Sequence, residues 1–282
     1  MLVAGLCFAL MSVAVKVAGQ WFSGLELVFY RSLFSLAVIA GPILARHGTH
    51  GLRDLPGRHW GMHLGRGLVG FIALATFYYA LIKLPMSVAV TLNYASPLWL
   101  ALLMPWQLHE RPSPAQYLAV ALGFCGVALL LRPWEVAGGE LVAGLVGAFS
   151  GVMAAFAYIH VRRLGRLHEP EWRTVFWFGV VGVVGAGATA SITGWHPLAP
   201  HQLPALLAMG ALATLGQLAM TRAYRLGRTT VVASFAFSTV LFSSLLDVVL
   251  WSQELSLLAW VGVIITVMAG VWTTLINARE NA

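Results

Sequence analysis

Residues 80–103, "ALIKLPMSVAVTLNYASPLWLALL", and residues 223–246, "AYRLGRTTVVASFAFSTVLFSSLL", echo one another within a single chain. Ala80 pairs with Ala223, Val88 with Val231, Leu98 with Leu241, Leu102 with Leu245 and Leu103 with Leu246. Tyr94 meets Phe237, Trp99 meets Phe242 and Thr91 meets Ser234. Apolar identities carry little weight alone, because any two membrane helices share them. A more specific match lies downstream. After a one-residue shift Glu110 aligns with Glu254, and each is followed by a Gly-Val pair at the same spacing, Gly126-Val127 and Gly270-Val271. Self-similarity at such a distance points to an internal duplication.

The surroundings of the two copies define the class. The chain has 282 residues, 59% hydrophobic and only 10% charged, with mean hydropathy +0.82. A soluble domain is about one quarter charged, so this is an integral membrane protein. A bilayer core of ~30 Å needs roughly 20 helical residues, and runs of that length recur from end to end. Ten spans are expected: Leu2 to Gly19, Gly24 to Ala45, Gly61 to Ile82, Met86 to Leu108, Ala115 to Leu131, Glu140 to Val161, Arg173 to Thr193, Leu203 to Tyr224, Thr229 to Trp251 and Leu255 to Asn277. Polar connections of any size are confined to Arg46 to Trp60 and His160 to Trp172, so no soluble domain fits. The N-terminus lacks a basic n-region and a cleavage site, and Leu2 to Gly19 reads as a retained first span.

Two copies of five spans fill residues 1–133 and 134–282. An odd number of spans turns the second copy upside down relative to the first. Inverted repeats of this kind characterise secondary transporters, which hold substrate between the halves near the midplane. The expected fold is therefore an all-α polytopic membrane protein, with ten transmembrane helices as two inverted five-helix repeats around a central cavity.

Charge sets the orientation. With a cytoplasmic N-terminus, the inner loops and span ends collect Arg46, Arg53, Arg58, Arg111, Arg162, Arg163, Arg166, Arg222, Arg225, Arg228 and Arg279. The outer connections hold Lys83 and Arg132 beside acidic Glu135, Glu140 and Glu254. The positive-inside bias then predicts both termini in the cytoplasm. The net charge of +7 is spread over short tracts rather than gathered on one face, which argues against nucleic acid as a partner. Cys7 and Cys125 lie in separate apolar runs without metal-ligand spacing. His47, His50, His59 and His63 have spacings that metals accept, but a solvated basic loop beside anionic lipid is the commoner arrangement, so no metal is expected.

The stretch "FYYALIKLPMSVAVTLNYASPLW…HERPSPAQYLAVALGFCGVALLL" resembles the EamA repeat of the drug/metabolite transporter superfamily. "LELVFYRSLF" (25–34) resembles the second span of that repeat, with its arginine. "GRGLVGF" (65–71) is similar to the third span of the EamA branch that includes carriers for S-adenosylmethionine uptake. The resemblance implies a cavity built from the first four helices of each half, with the fifth and tenth at the periphery. The second copy departs from the pattern where Val240 faces Pro97.

Candidate site residues follow from polarity in apolar surroundings. Arg31 lies near the middle of its span, and a charge at bilayer depth is expensive enough to be a functional hypothesis by default. Glu26 is five positions earlier, about 140° around the helix, so the partner of Arg31 comes from another helix or from a ligand. The planar guanidinium suits a carboxylate or phosphate. Lys16 is expected to pair with Glu26 across the turn "GQWFSG", ordering the outer gate. Asp247 is the sole aspartate within a span and the candidate proton carrier if transport is proton-coupled; a partner role towards Lys16 or Arg31 is the structural alternative.

Asn93, Ser96 and Pro97 share a face of the fourth span, with Pro97 freeing a backbone carbonyl. Packing between helices remains open for them. Tyr78, Tyr79, Trp99, Phe235, Phe237 and Gln217 complete an amphipathic cavity by repeat position and family pattern. Gln217 stands out, because an amide in hydrocarbon needs partners.

No HExxH, GxSxG, phosphate loop or catalytic carboxylate pair is present, so the chain reads as a non-enzyme without cofactor. The function that fits is secondary-active transport by alternating access in the bacterial inner membrane. The resemblance points to export of an amino acid or an amino-acid-derived zwitterion, with an opine-type metallophore equally suited. Uptake or exchange of a nucleoside-like metabolite such as S-adenosylmethionine is the alternative. A membrane enzyme or lipid-handling protein is the remote one. The expected partners are the small-molecule substrate, the lipid bilayer and protons as coupling ion, in a monomer or homodimer.

Overall fold

Helices account for nearly all of the architecture, as backbone without water requires, since each N–H and C=O must be satisfied within its own segment. The computed structural model describes residues 1–47, 57–107, 114–131, 138–226, 235, 238–252 and 256–280. Among these residues the α-helices are α1 (Leu2–Ala18), α2 (Gly24–His47), α3 (Trp60–Lys83), α4 (Met86–Tyr94), α5 (Ser96–Gln107) and α6 (Pro114–Leu131). They continue as α7 (Gly138–Arg166), α8 (Glu171–Thr193), α9 (Leu203–Leu226), α10 (Ser238–Trp251) and α11 (Leu257–Glu280), with a short 3-10 turn at Pro200–Gln202. No strand occurs among the described residues. Among the described residues five stretches are both long and apolar enough to cross a bilayer: Gly24–Pro42, Trp60–Lys83, Gly139–Arg166, Glu171–Thr193 and Pro200–Leu226.

The expected fourth span is two helices rather than one. α4 stops at Tyr94, Ala95 caps it, and α5 starts at Ser96. Pro97 is the cause: in a continuous helix its ring would collide with the carbonyl four residues back, whereas in the first turn of a new helix its missing N–H is no loss. α7 packs tightly on this break. A Cβ on Gly151 would lie 2.6 Å from the Leu92 carbonyl oxygen, so only glycine lets the two backbones come this close. The first residues of the expected ninth span, from Thr229, lie outside the described residues.

The most extensive helix pairings are α1 with α9, α2 with α8, α3 with α7 and α6 with α11. α4 also packs on α10. Polarity runs opposite to that of a soluble protein. Leu6, Leu10, Leu33, Leu68, Ile72, Val184, Leu207 and Leu215 face outwards, while Arg31, Ser35, Arg66, Thr214 and Gln217 are buried. An apolar exterior of this extent is stable only against lipid. The interior hydroxyls bridge helices, as where Ser35 on α2 and Thr214 on α9 lie 2.7 Å apart.

Candidate substrate cavity

The centre of the bundle is open. Side chains from α1, α2, α3, α4, α7, α8, α9 and α10 line a cavity with about 100 Å³ accessible to the centre of a water molecule. Its apolar wall comes from Phe8, Met11, Leu74, Phe77 and Met220, and its polar groups from Ser12, Arg31, Arg66, Asn93, Tyr94, Tyr158, Gln217 and Thr239. No acid is among the described lining residues.

Two cations dominate this wall. Arg31 is 4% exposed and Arg66 3% exposed. The guanidinium carbon of Arg31 lies 5.1 Å from the centre of the Phe178 ring, and that of Arg66 lies 4.5 Å from the same centre. The ring face offers partial compensation through its quadrupole. Nε of Arg31, and Nε and Nη1 of Arg66, have no hydrogen-bond partner among the described residues. A Cβ at Gly70 would collide with Nη1 of Arg66, so this glycine makes the room in which the guanidinium sits.

Neutral polar groups add direction. Nδ2 of Asn93 donates to Ser150 Oγ at 2.9 Å, and the Asn93 carbonyl oxygen has no hydrogen-bond partner among the described residues. Gln217 Nε2 has no partner among the described residues. Tyr158 stacks on Tyr224, centroids 5.7 Å apart and planes inclined by 28°. Tyr158 lines the central cavity and Tyr224 lines a second, more polar cavity of about 300 Å³ with Arg162, Arg166, Glu169, Glu171 and Arg225, so the stacked pair stands between the two.

Of the residues singled out in the sequence, Arg31, Asn93 and Gln217 line the cavity and the other described ones do not. Tyr78 is wholly buried behind the wall, donating to Met11 Sδ at 3.4 Å. Tyr79 is 42% exposed on the far face of α3, and Phe235 is also exposed. Trp99 packs edge-on against Phe124 of α6 at 4.5 Å. Ser96 is buried outside the lining. The Pro97 side chain and Phe237 lie outside what is described. Arg66, Tyr158 and Phe178 escaped the sequence reading. Arg66 carried the same signal as Arg31, a charge well inside an apolar span; the two aromatics carried none.

The expected Lys16–Glu26 pair does not form. Oε1 of Glu26 accepts from the His196 backbone N–H at 2.7 Å, and Oε2 accepts from the Ser23 N–H and hydroxyl and from His196 Nδ1, each at 2.8 Å. Lys16 turns the other way, donating to the Leu84 carbonyl at 3.0 Å and lying 4.0 Å from Asp247 Oδ1. Asp247 is fully buried and its Oδ2 accepts from the Ser87 N–H at 2.7 Å, at the start of α4. Free N–H groups at a helix N-terminus suit an anion, which explains why the carboxylate docks there. Both clusters lie at the end of the bundle that carries the α1–α2 turn.

At the opposite end Glu169 ties α3 to the α7–α8 turn. His59 Nδ1 donates to it at 2.8 Å and Arg173 Nη1 at 2.7 Å, and His63 Nε2 stands 3.4 Å away. Burial pushes the Glu169 carboxyl up, but the hydrogen bonds from His59 and Arg173, with His63 and the Arg173 charge beside them, outweigh it and hold it at about 2.

A polytopic helical bundle with a central cationic cavity belongs to the membrane transporters in class. The sequence pattern of the EamA-like transporter family matches residues 1–132 and 141–275, and the chain belongs to that family, within the drug/metabolite transporter superfamily. It is 28% identical over 272 residues to the Pseudopaline exporter CntI of Pseudomonas aeruginosa (strain UCBPP-PA14), across 94% of this chain and 91% of that protein. It is 22% identical to the S-adenosylmethionine uptake transporter of Rickettsia felis, across 84% of this chain and 78% of the relative. A crystal structure superposes with TM-score 0.66 at 19% identity, over 100% of this chain and 98% of the other, which establishes likeness of fold alone.

Proposed function

We propose that this chain is a secondary carrier of the bacterial inner membrane that exports an amino-acid-derived metabolite bearing a carboxylate. The observation that carries the reading is Arg31, a buried cation facing a cavity with no acid among its described lining residues. A buried charge without a counter-charge is costly, and a carboxylate entering the cavity supplies one. The Asn93 carbonyl and the rings of Phe8, Phe77 and Tyr94 suit the ammonium of the same zwitterion.

Residues 1–133 and 134–282 are read as inverted five-helix repeats working by alternating access. The helix pairing supports this. If α1, α2, α3, α4–α5 and α6 correspond in order to α7, α8, α9, α10 and α11, exchanging the halves turns the α1–α9 pair into α7–α3 and returns α2–α8, α4–α10 and α6–α11 to themselves. Arg162, Arg163, Arg166 and Arg225 cluster at the Glu169 end, which is assigned to the cytoplasm together with both termini. The Glu26 and Asp247 clusters then close the external end, and Asp247 is the proton-coupling candidate. The name of the Pseudomonas relative supports the outward direction.

The test is counterflow of labelled amino acids and their derivatives in proteoliposomes, with Arg31→Ala as control. Exchange of a carboxylate-bearing compound that the variant loses supports the reading. Carriage of S-adenosylmethionine that Arg31→Gln leaves intact would overturn it in favour of the cationic alternative.

A further inference from the structure

The cavity holds one cation more than a single carboxylate can satisfy. Arg31 and Arg66 enter it from opposite ends of the bundle. At 1.5 Å per residue, Arg31 lies roughly 10 Å along α2 from the end with the α1–α2 turn, and Arg66 roughly 9 Å along α3 from the Glu169 end. Both helices are 24 residues long, so the two backbone positions are well separated along the bundle axis. The side chains then converge until both guanidinium carbons face the Phe178 ring, and they can be no further apart than the sum of their distances to it.

Two guanidinium groups this close repel one another through space. Each brings five N–H donors in a fork that matches one carboxylate edge-on. A substrate with a single carboxylate fills one fork and leaves the other charge buried and uncompensated, the arrangement that costs most in a low-dielectric interior. The Phe178 ring, 5.1 Å and 4.5 Å from the two guanidinium carbons, has no hydrogen-bond acceptor to offer, and Nε of Arg31 with Nε and Nη1 of Arg66 have no partner among the described residues. Gly70 keeps open the space that Arg66 occupies. Arg66 is therefore built into the cavity rather than parked in it.

We propose that the substrate carries two carboxylates, one received by Arg31 and the other by Arg66, beside Phe178, with the ammonium towards Asn93. This inference rests on the carboxylate-export reading above and narrows it from one anionic group to two. Arg66 acts as the selector between one-carboxylate and two-carboxylate compounds.

Counterflow in proteoliposomes tests it with two matched pairs of labelled probes: N-(1-carboxyethyl)alanine against N-ethylalanine, and glutamate against glutamine. The protein is expected to carry the two-carboxylate member of each pair at least about tenfold better, since a charge-assisted contact accounts for about ten- to a hundredfold in binding. Arg66→Gln, checked for monodispersity, should lower that preference by about tenfold or more, and Arg66→Lys should recover part of it. Equal carriage of both members, or an equal loss of both in Arg66→Gln, overturns the two-carboxylate inference while the one-carboxylate reading stands. No exchange of any of the four compounds overturns both.

Discussion

The external-end clusters and the central cavity treat buried charge in opposite ways. Glu26 and Asp247 are both fully buried: four donors reach Glu26, while Asp247 accepts from the Ser87 N–H and has the Lys16 ammonium 4.0 Å from its Oδ1, which has no hydrogen-bond partner among the described residues. Arg31 and Arg66 are just as deep, yet no acid is among the described residues lining their cavity, guanidinium nitrogens lack a partner among those residues, and both cations lie beside one aromatic ring. The acids close helices against one another. The arginines keep binding capacity in reserve, and on the function proposed above that is where the substrate carboxylate docks.

The contrast is most exposed to failure at Arg31. Arg31→Gln should cut counterflow of the carried carboxylate about a hundredfold while thermal unfolding in detergent is unchanged or raised, because the substitution removes an unpaired buried charge. Loss of both stability and transport would place Arg31 among the structural residues. Asp247→Asn should do the reverse in stability: removal of the charge facing Lys16 lowers it by about 2 kcal/mol. If Asp247 carries the coupling proton, the same variant loses the response of flux to an imposed pH gradient, and an unchanged response removes it from coupling.

Gly70→Ala sharpens the comparison within the cavity. The added methyl displaces the Arg66 guanidinium, and KM for a two-carboxylate compound should rise about tenfold. An unchanged KM would mean that Arg66 has room elsewhere. The smallest effect belongs to Glu169. Its folded-state carboxyl sits near 2 against an ordinary 4.5, so its stabilising contribution is complete above pH 4.5 and is lost as pH falls towards 2. Melting of the protein and Glu169→Gln should therefore converge on acidification, and a constant gap between them would remove the clasp.

Much of the scaffold was legible because bilayer thickness imposes a length that apolar runs reveal directly. α1, α3, α6 and α8 match the expected spans to within two residues at each end. The break at Ala95 departs from the continuous fourth span that was expected, although its cause, the covalent ring of Pro97, acts locally. Arg31 was legible for the same kind of reason, since charge in hydrocarbon is anomalous wherever it occurs. Tyr78 and Tyr79 were not separable from cavity-lining aromatics: one residue of rotation on α3 puts one ring behind the wall and the other on the lipid face. Lys16 illustrates the remaining limit. Proximity in sequence favoured Glu26, but that carboxylate is occupied by Ser23 and by His196, which is distant in the chain.

By itself, then, the sequence determined the membrane class, the bounds of several long helices and the presence of a deep arginine, because hydropathy and the cost of a buried charge act along the chain. The tertiary structure alone decided that Arg66 joins Arg31 at the Phe178 ring, that Asp247 takes the start of α4 together with Lys16, and that Tyr158 and Tyr224 stand between two cavities. These are contacts between helices far apart in sequence, and which side chains meet is fixed by how the helices rotate and pack, a variable no single span encodes.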